Sequence, residues 1–270
     1  MINTSTLPAT LALKLVTSKR ASFETSIRQD VVNAREIKAF EERIGAITSV
    51  EDLVKDYEVY AFVMKAHGLE NQMFGKAMMK KVLVSDPDEK GALVNRLTDK
   101  RFRDIRNALE FGKDGSAPAK FQDADWRRGL VETYVSQKLM ESQLEHNEPV
   151  GIVLHVQAKA AGISSWYNVL SDTKVQDFFY TALGLPESLK TTDVDKQAAT
   201  LAKRFDLEKL KDPAELDKLI RRYTAMASVN AASGGSSDPI VQLVSGAGST
   251  SFSTINLSGL TALKAGKYSV

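Results

Sequence analysis

The 270-residue chain contains no cysteine and only three histidines. The first absence excludes disulfides, thiolate zinc sites, iron–sulfur ligation and a cysteine nucleophile. His67, His146 and His155 show neither H-x3-H nor H-E-x-x-H spacing, so no metal and no cofactor is expected. Charge of one sign is lacking too. The 36 Lys+Arg and 34 Asp+Glu leave a formal +2, which supplies no broad field for nucleic acid, and no nucleic-acid partner is expected. No apolar run approaches the roughly 18–20 residues a bilayer span requires. The first twenty residues lack a basic n-region and an unbroken apolar core, so no cleavable signal peptide is expected. With 7 prolines and 16 glycines, long stretches are free to be helical.

What is present is helical spacing. Phe23, Ile27, Val31, Ala34, Ile37, Phe40 and Ile44 form one apolar stripe and predict a single long helix ending near Gly45. Ser49 with Asp52 resembles a capping box and predicts a helix that stops at Gly68, a left-handed C-cap. Further helices are predicted over 72–84, 123–144, 149–161, 164–183 and 192–204. Asp86-Pro87 and Asp212-Pro213 each read as an N-cap followed by proline in the first turn. Strand-like alternation is absent from 21 to 228. The expected fold class is all-α.

Composition divides the chain. Residues 230–270 hold 6 of the 16 glycines, 9 serines and three charges, Asp238, Lys264 and Lys267. This predicts a flexible N-terminal segment over 1–20, a helical domain over 21–228, and a low-charge flexible tail over 229–270. The tail carries apolar residues, and Ile240, Val241, Leu243, Val244, Phe252, Ile255, Leu257, Leu260 and Leu263 are candidate partner contacts. The partner is expected to be a flagellar protein, on the resemblance given below, or another copy of the chain.

The helical domain also repeats itself. At an offset of 116 residues, Asp56, Val59, Phe62, Ala66, Gly68 and Leu69 recur as Asp172, Val175, Phe178, Ala182, Gly184 and Leu185. A period this long is no solenoid repeat. It predicts two similar helical halves, about 21–115 and 121–228, forming one bundle-like body.

These residues carry a family resemblance. Ser49-Val50-Glu51-Asp52-Leu53, Met64-Lys65-Ala66-His67-Gly68-Leu69, Asn95-Arg96-Leu97-Thr98-Asp99, Thr181-Ala182-Leu183-Gly184-Leu185-Pro186 and Leu210-Lys211-Asp212-Pro213 resemble an alphaproteobacterial domain family of unknown function. The resemblance covers roughly residues 20–265. It implies a flagellar context, because members are often encoded among flagellar genes, and it supplies no catalytic residue.

Catalytic motifs are sparse. Asp86–Gly91 has calcium-loop acids at positions 1 and 3, but Lys90 stands at position 5 and Leu97 replaces the bidentate Glu. Gly246-Ala247-Gly248 lacks a following Lys-Ser/Thr, and no G-x-S-x-G elbow occurs. Lys100, Arg101, Arg103 and Arg106 read as a solvated face beside Asp99, Asp104 and Glu110. Trp126 and Trp166 read as core, and His67 as an imidazolium favoured by a helix C-terminus. The chain is therefore expected to be no enzyme. It reads as a flagellum-associated structural or interaction protein, exported or cytoplasmic, with residues 2–19 a candidate export signal. The alternative is a cytoplasmic flagellar assembly helper, an export chaperone or a regulator.

Overall fold

Side-chain caps start many of the helices of this chain, and they cut the apolar stripes into shorter pieces than spacing alone predicts. The computed structural model describes residues 3–233, which form fourteen α-helices and no strand; one isolated antiparallel bridge joins Ser49 to Ser116. The chain is all-α. The single helix expected across Phe23–Ile44 is two, α2 (Arg20–Gln29) and α3 (Val31–Arg43), after α1 (Ala9–Ser18). Asp30 breaks it. Its backbone is extended and its carboxylate accepts from Val32 N and Asn33 N, which starts a new helix and leaves Val31 83% exposed.

The same device recurs. Asp56 separates α4 (Val50–Lys55) from α5 (Tyr57–Ala66), and Asp172 separates α11 (Trp166–Leu170) from α12 (Thr173–Leu183). The predicted start at Asp86-Pro87 fails. Residues 86–91 form turns, Asp86 accepting from Asp88 N, between α6 (Lys76–Leu83) and the single turn α7 (Leu93–Arg96). The sequence after Pro87, Asp-Glu-Lys-Gly, has no apolar face to bury, and a cap without packing does not hold a helix. At Asp212-Pro213 the expectation holds: Asp212 accepts from Ala214 N at the start of α14 (Pro213–Ser233).

Between these lie α8 (Arg101–Leu109), α9 (Ala124–His146), α10 (Glu148–Lys159) and α13 (Val194–Arg204). One buried apolar core runs from Ala12 to Val150, with Phe40, Phe62 and Tyr134 stacked in series at 4.3 and 4.5 Å. A second runs from Ile152 to Tyr223 around Phe178 and Phe179. Trp126 packs on the first core and Trp166 on the second, as expected of them. The cores meet at the α9–α10 turn, where a Cβ on Gly151 would stand 2.5 Å from the Leu144 backbone nitrogen. Contacts divide the chain into two units, 1–228 and 229–270, and both cores lie within the first.

The N-terminal segment, expected to be flexible, is docked over the residues described. Thr4 is fully buried and donates to Gln143 Oε1 at 2.9 Å, while Asn147 Nδ2 donates to the carbonyls of Thr4 and Leu7. Ala9, Ala12 and Val16 turn inward, and Leu13 touches both cores. Four inward apolar positions at helical spacing, plus three hydrogen bonds, outweigh the entropy of a free end.

At a spacing of 116 residues the same local geometry recurs. Ser49 (φ −147°, ψ 163°) and Ser165 (φ −149°, ψ 157°) cap α4 and α11, each accepting from the amide three residues on. Arg43 meets the capping Asp56 at 2.6 Å, and Lys159 meets the capping Asp172 at 2.6 Å. Gly68 (φ +65°) and Gly184 (φ +63°) close α5 and α12. Leu69 N and Leu185 N then reach back to the carbonyls of Met64 and Tyr180, both at 2.8 Å.

Candidate functional site

A cleft of about 640 Å³ opens where the start of α8 faces α10, α11 and the N-terminus of α12. Its size falls within the range of small-ligand and peptide pockets. One wall is the segment Thr98–Asp104. Asp99 accepts from the Arg101 backbone N, Nε and Nη2, and Arg101 Nη1 reaches back to the Gly68 carbonyl. Lys100 extends across to the Gly162 carbonyl at 3.4 Å.

The opposite wall is built on α10. His155 and Lys159 lie one turn apart on one face, and both point at Asp172. Asp172 Oδ2 receives Lys159 Nζ at 2.6 Å and faces His155 Nε2 at 2.8 Å, while Oδ1 caps Lys174 N and Val175 N. Burial alone would raise this carboxyl. The hydrogen bonds from His155 and Lys159, and their charges, outweigh burial and hold Asp172 well below the usual carboxylate range. Asp99 is also lowered, its desolvation overcome by the Arg101 hydrogen bonds. Asp104 is raised by desolvation, against the opposing charges of Lys159 and Lys100. Chemically the cleft holds the pairs Asp99–Arg101 and Asp172 with His155 and Lys159, while Lys100, Lys174 and Asp104 stand outside any ion pair among the described residues, Asp104 within the field of Lys100 and Lys159.

The expected site residues fall elsewhere. Ile240, Val241, Leu243, Val244, Phe252, Ile255, Leu257, Leu260 and Leu263 lie outside the described residues. In the basic stretch, Arg106 is buried and donates to the Ser85 carbonyl at 2.7 Å, so with Arg101 two of its four cations turn inward to carbonyls. His67 corrects its expectation: desolvation lowers its pKa to about 4, and its buried Nε2 has no partner, so it is neutral. Burial outweighs the helix dipole there. Among the described residues no group of three or more His, Asp or Glu is placed to hold a metal ion, and no helix is long and apolar enough to cross a membrane.

Sequence reasoning missed His155, Lys159 and Asp172 as a group. The i, i+4 spacing of the first two was readable, and Asp172 was recognisable only as the counterpart of Asp56.

A family model described as "Protein of unknown function (DUF1217)" matches residues 66–216, more than half of the chain. The chain belongs to this family. Every cleft residue lies inside the matched span. The chain is similar to a crystal structure of protein AGR_C_984 from Agrobacterium tumefaciens, at 28% identity and a TM-score of 0.71 over 84% of this chain and 95% of that one. An unknown-function family and an alphaproteobacterial relative agree with the resemblance read from the sequence. No curated protein matches.

Proposed function

We propose that the chain is a non-enzymatic interaction protein associated with the bacterial flagellum, engaging a flagellar protein or another copy of itself. The observation that carries the binding half of this reading is apolar exposure on a body with two packed cores. Phe74, in the turn before α6, is 97% exposed, and Val31 and Tyr57, the first residues of α3 and α5, are 83% and 63% exposed. Large apolar side chains are what a partner's contact buries, and these three are the ones this reading assigns to it. The cleft supports binding over catalysis: Asp172 is held by four local donors and kept ionised, which makes it a poor proton acceptor. The flagellar half rests on the family resemblance. We also read the body as an internal duplication, supported by the caps, ion pairs and left-handed glycines that recur 116 residues apart.

A second reading, a cytoplasmic flagellar assembly helper, is favoured by the docked N-terminal segment. Flagellar export acts on poorly ordered termini, whereas Thr4 is buried here and residues 9–18 are helical. Fractionation tests both. Recovery of the chain in sheared, purified flagella or culture supernatant supports association and export. Retention in cytosol with a motility defect on deletion supports the helper. Deletion that leaves filaments and swimming normal overturns the flagellar role. Affinity purification with and without residues 231–270 identifies the partner and tests the tail.

A further inference from the structure

The charged side chains of the cleft do not all close on one another. Lys100, Arg101, Lys159 and Lys174 line it against three aspartates. Arg101 closes on Asp99, and Lys159 closes on Asp172. Both oxygens of each of these carboxylates already accept. Asp99 takes the Arg101 backbone N, Nε and Nη2. Asp172 takes Lys174 N and Val175 N on Oδ1, with His155 and Lys159 on Oδ2.

What stays open is two cations, one amide donor and one acid. Lys174 Nζ meets no acceptor among the described residues, and Lys100 Nζ meets only the Gly162 carbonyl at 3.4 Å, a long hydrogen bond. Asn168 spends its Oδ1 on Ser164 N and Oγ, which leaves both Nδ2 protons unused in the cleft. Asp104 lies outside any ion pair, and desolvation disfavours its charge more than Lys159 and Lys100 favour it. Charges unmet in a cleft are what a ligand of opposite charge stabilises on binding. Ile163 and Val175, 8% and 1% exposed, add apolar lining.

We propose that the cleft binds a free amino dicarboxylate, its two carboxylates set against Lys100 and Lys174 and its ammonium against Asp104. The Asn168 amide donates to one of the carboxylates. Charge carries the choice: two open cations and one open acid are matched by two anionic groups and one cationic group on a single small molecule. The cleft, at about 640 Å³, has room for it. This chain's own end is a poorer match, because residues 234–270 hold a single acidic side chain, Asp238. The proposal goes beyond the partner reading, which rests on Phe74, Val31 and Tyr57, none of which lines the cleft.

The test titrates the 15N-labelled full chain at low salt with L-glutamate and L-aspartate, and with glutarate and succinate, which lack the amine. Saturable shifts of the Asn168 side-chain amide are expected with at least one amino acid, and about tenfold weaker binding of its amine-free counterpart. Lys174→Gln is expected to weaken both about tenfold. Asp104→Asn is expected to weaken the amino acid about tenfold and to tighten the amine-free diacid, since one loses a partner and the other a repelling charge. Neither side chain is in an ion pair among the described residues, so both variants should keep the parent's urea midpoint, and a general loosening would move both ligands the same way. No saturable shift at Asn168, binding indifferent to Lys174→Gln, or parallel changes of both ligands in Asp104→Asn overturns the proposal. So does tighter binding in Asp238→Asn, which assigns the cleft to this chain's own end. Failure here leaves the fractionation result of the partner reading untouched.

Discussion

At the scale of single residues, His67 and Asp172 each tie stability to pH, in different ranges. His67 has its pKa lowered to about 4 by burial, while an unfolded histidine titrates near 6.5. Between these values the unfolded chain binds a proton that the folded chain refuses, so stability is full above about pH 6.5 and declines as pH falls toward 4. The decline is expected to amount to roughly 2 kcal/mol, allowing for the partial exposure of the residue. Urea unfolding of His67→Leu at pH 7 and pH 4.5 checks it: the slope flattens, and stability at pH 7 is kept because Nε2 has no partner to lose. An unchanged slope places the titration elsewhere. Asp172 acts lower on the scale. Its carboxyl is depressed, so its contribution is present above the ordinary value near pH 4 and is lost as pH falls below it. Asp172→Ala removes the α12 cap and the partner of His155 and Lys159, an expected loss of about 2 kcal/mol at pH 7. That difference should shrink in thermal unfolding as pH falls below about 4.

At the scale of elements, the left-handed glycines offer an internal comparison. Gly184 has open space where a Cβ would stand, so Gly184→Ala meets only the backbone penalty of its φ of +63°. At Gly68 a Cβ would stand 2.8 Å from Gln137 Nε2, the far end of a side chain that can rotate away. Each substitution is therefore expected to cost about 1 kcal/mol in chemical denaturation, with asparagine recovering part of it. A much larger loss at Gly68 would show Gln137 to be fixed, by its hydrogen bond to Glu141. These caps were legible because a Gly after an apolar helix end has few other uses. The aspartate breaks were not. Asp30, Asp56 and Asp172 sit where an acid on a solvated helix face looks the same, and the apolar stripe continues through each kink. The converse error at Asp86 has the same root: capping residues mark where a helix can start, while packing decides whether it does. The cleft was less legible still, since Asp172 lies 13 residues from Lys159 and the Lys100 wall comes from 62 residues before Gly162.

At the scale of the whole described body, two cores are tied at several places. Leu13 of α1 touches both, Gly151 lets α10 approach Leu144 of α9, and Lys100 reaches Gly162 across the cleft. Each core has its own tryptophan, Trp126 packed on the first and Trp166 on the second, so each can be followed alone through Trp166→Phe and Trp126→Phe. If these ties make one cooperative unit, urea unfolding curves from the two single-tryptophan chains coincide in midpoint and slope. Leu13→Ala then removes a side chain that, among the described residues, packs on both cores. Its expected cost is about 2 kcal/mol, and because it loosens both cores at once the two midpoints should fall together. Curves that already separate in the parent chains mean that the cores fold independently. Movement of the Trp166 reporter alone would mean that α1 belongs energetically to the second core. The distinction bears on function, because the cleft is lined both by the start of α8, which packs into the first core, and by Ile163 and Val175 of the second. A ligand bound there stabilises a cooperative body as a whole, and two independent cores only where it touches them.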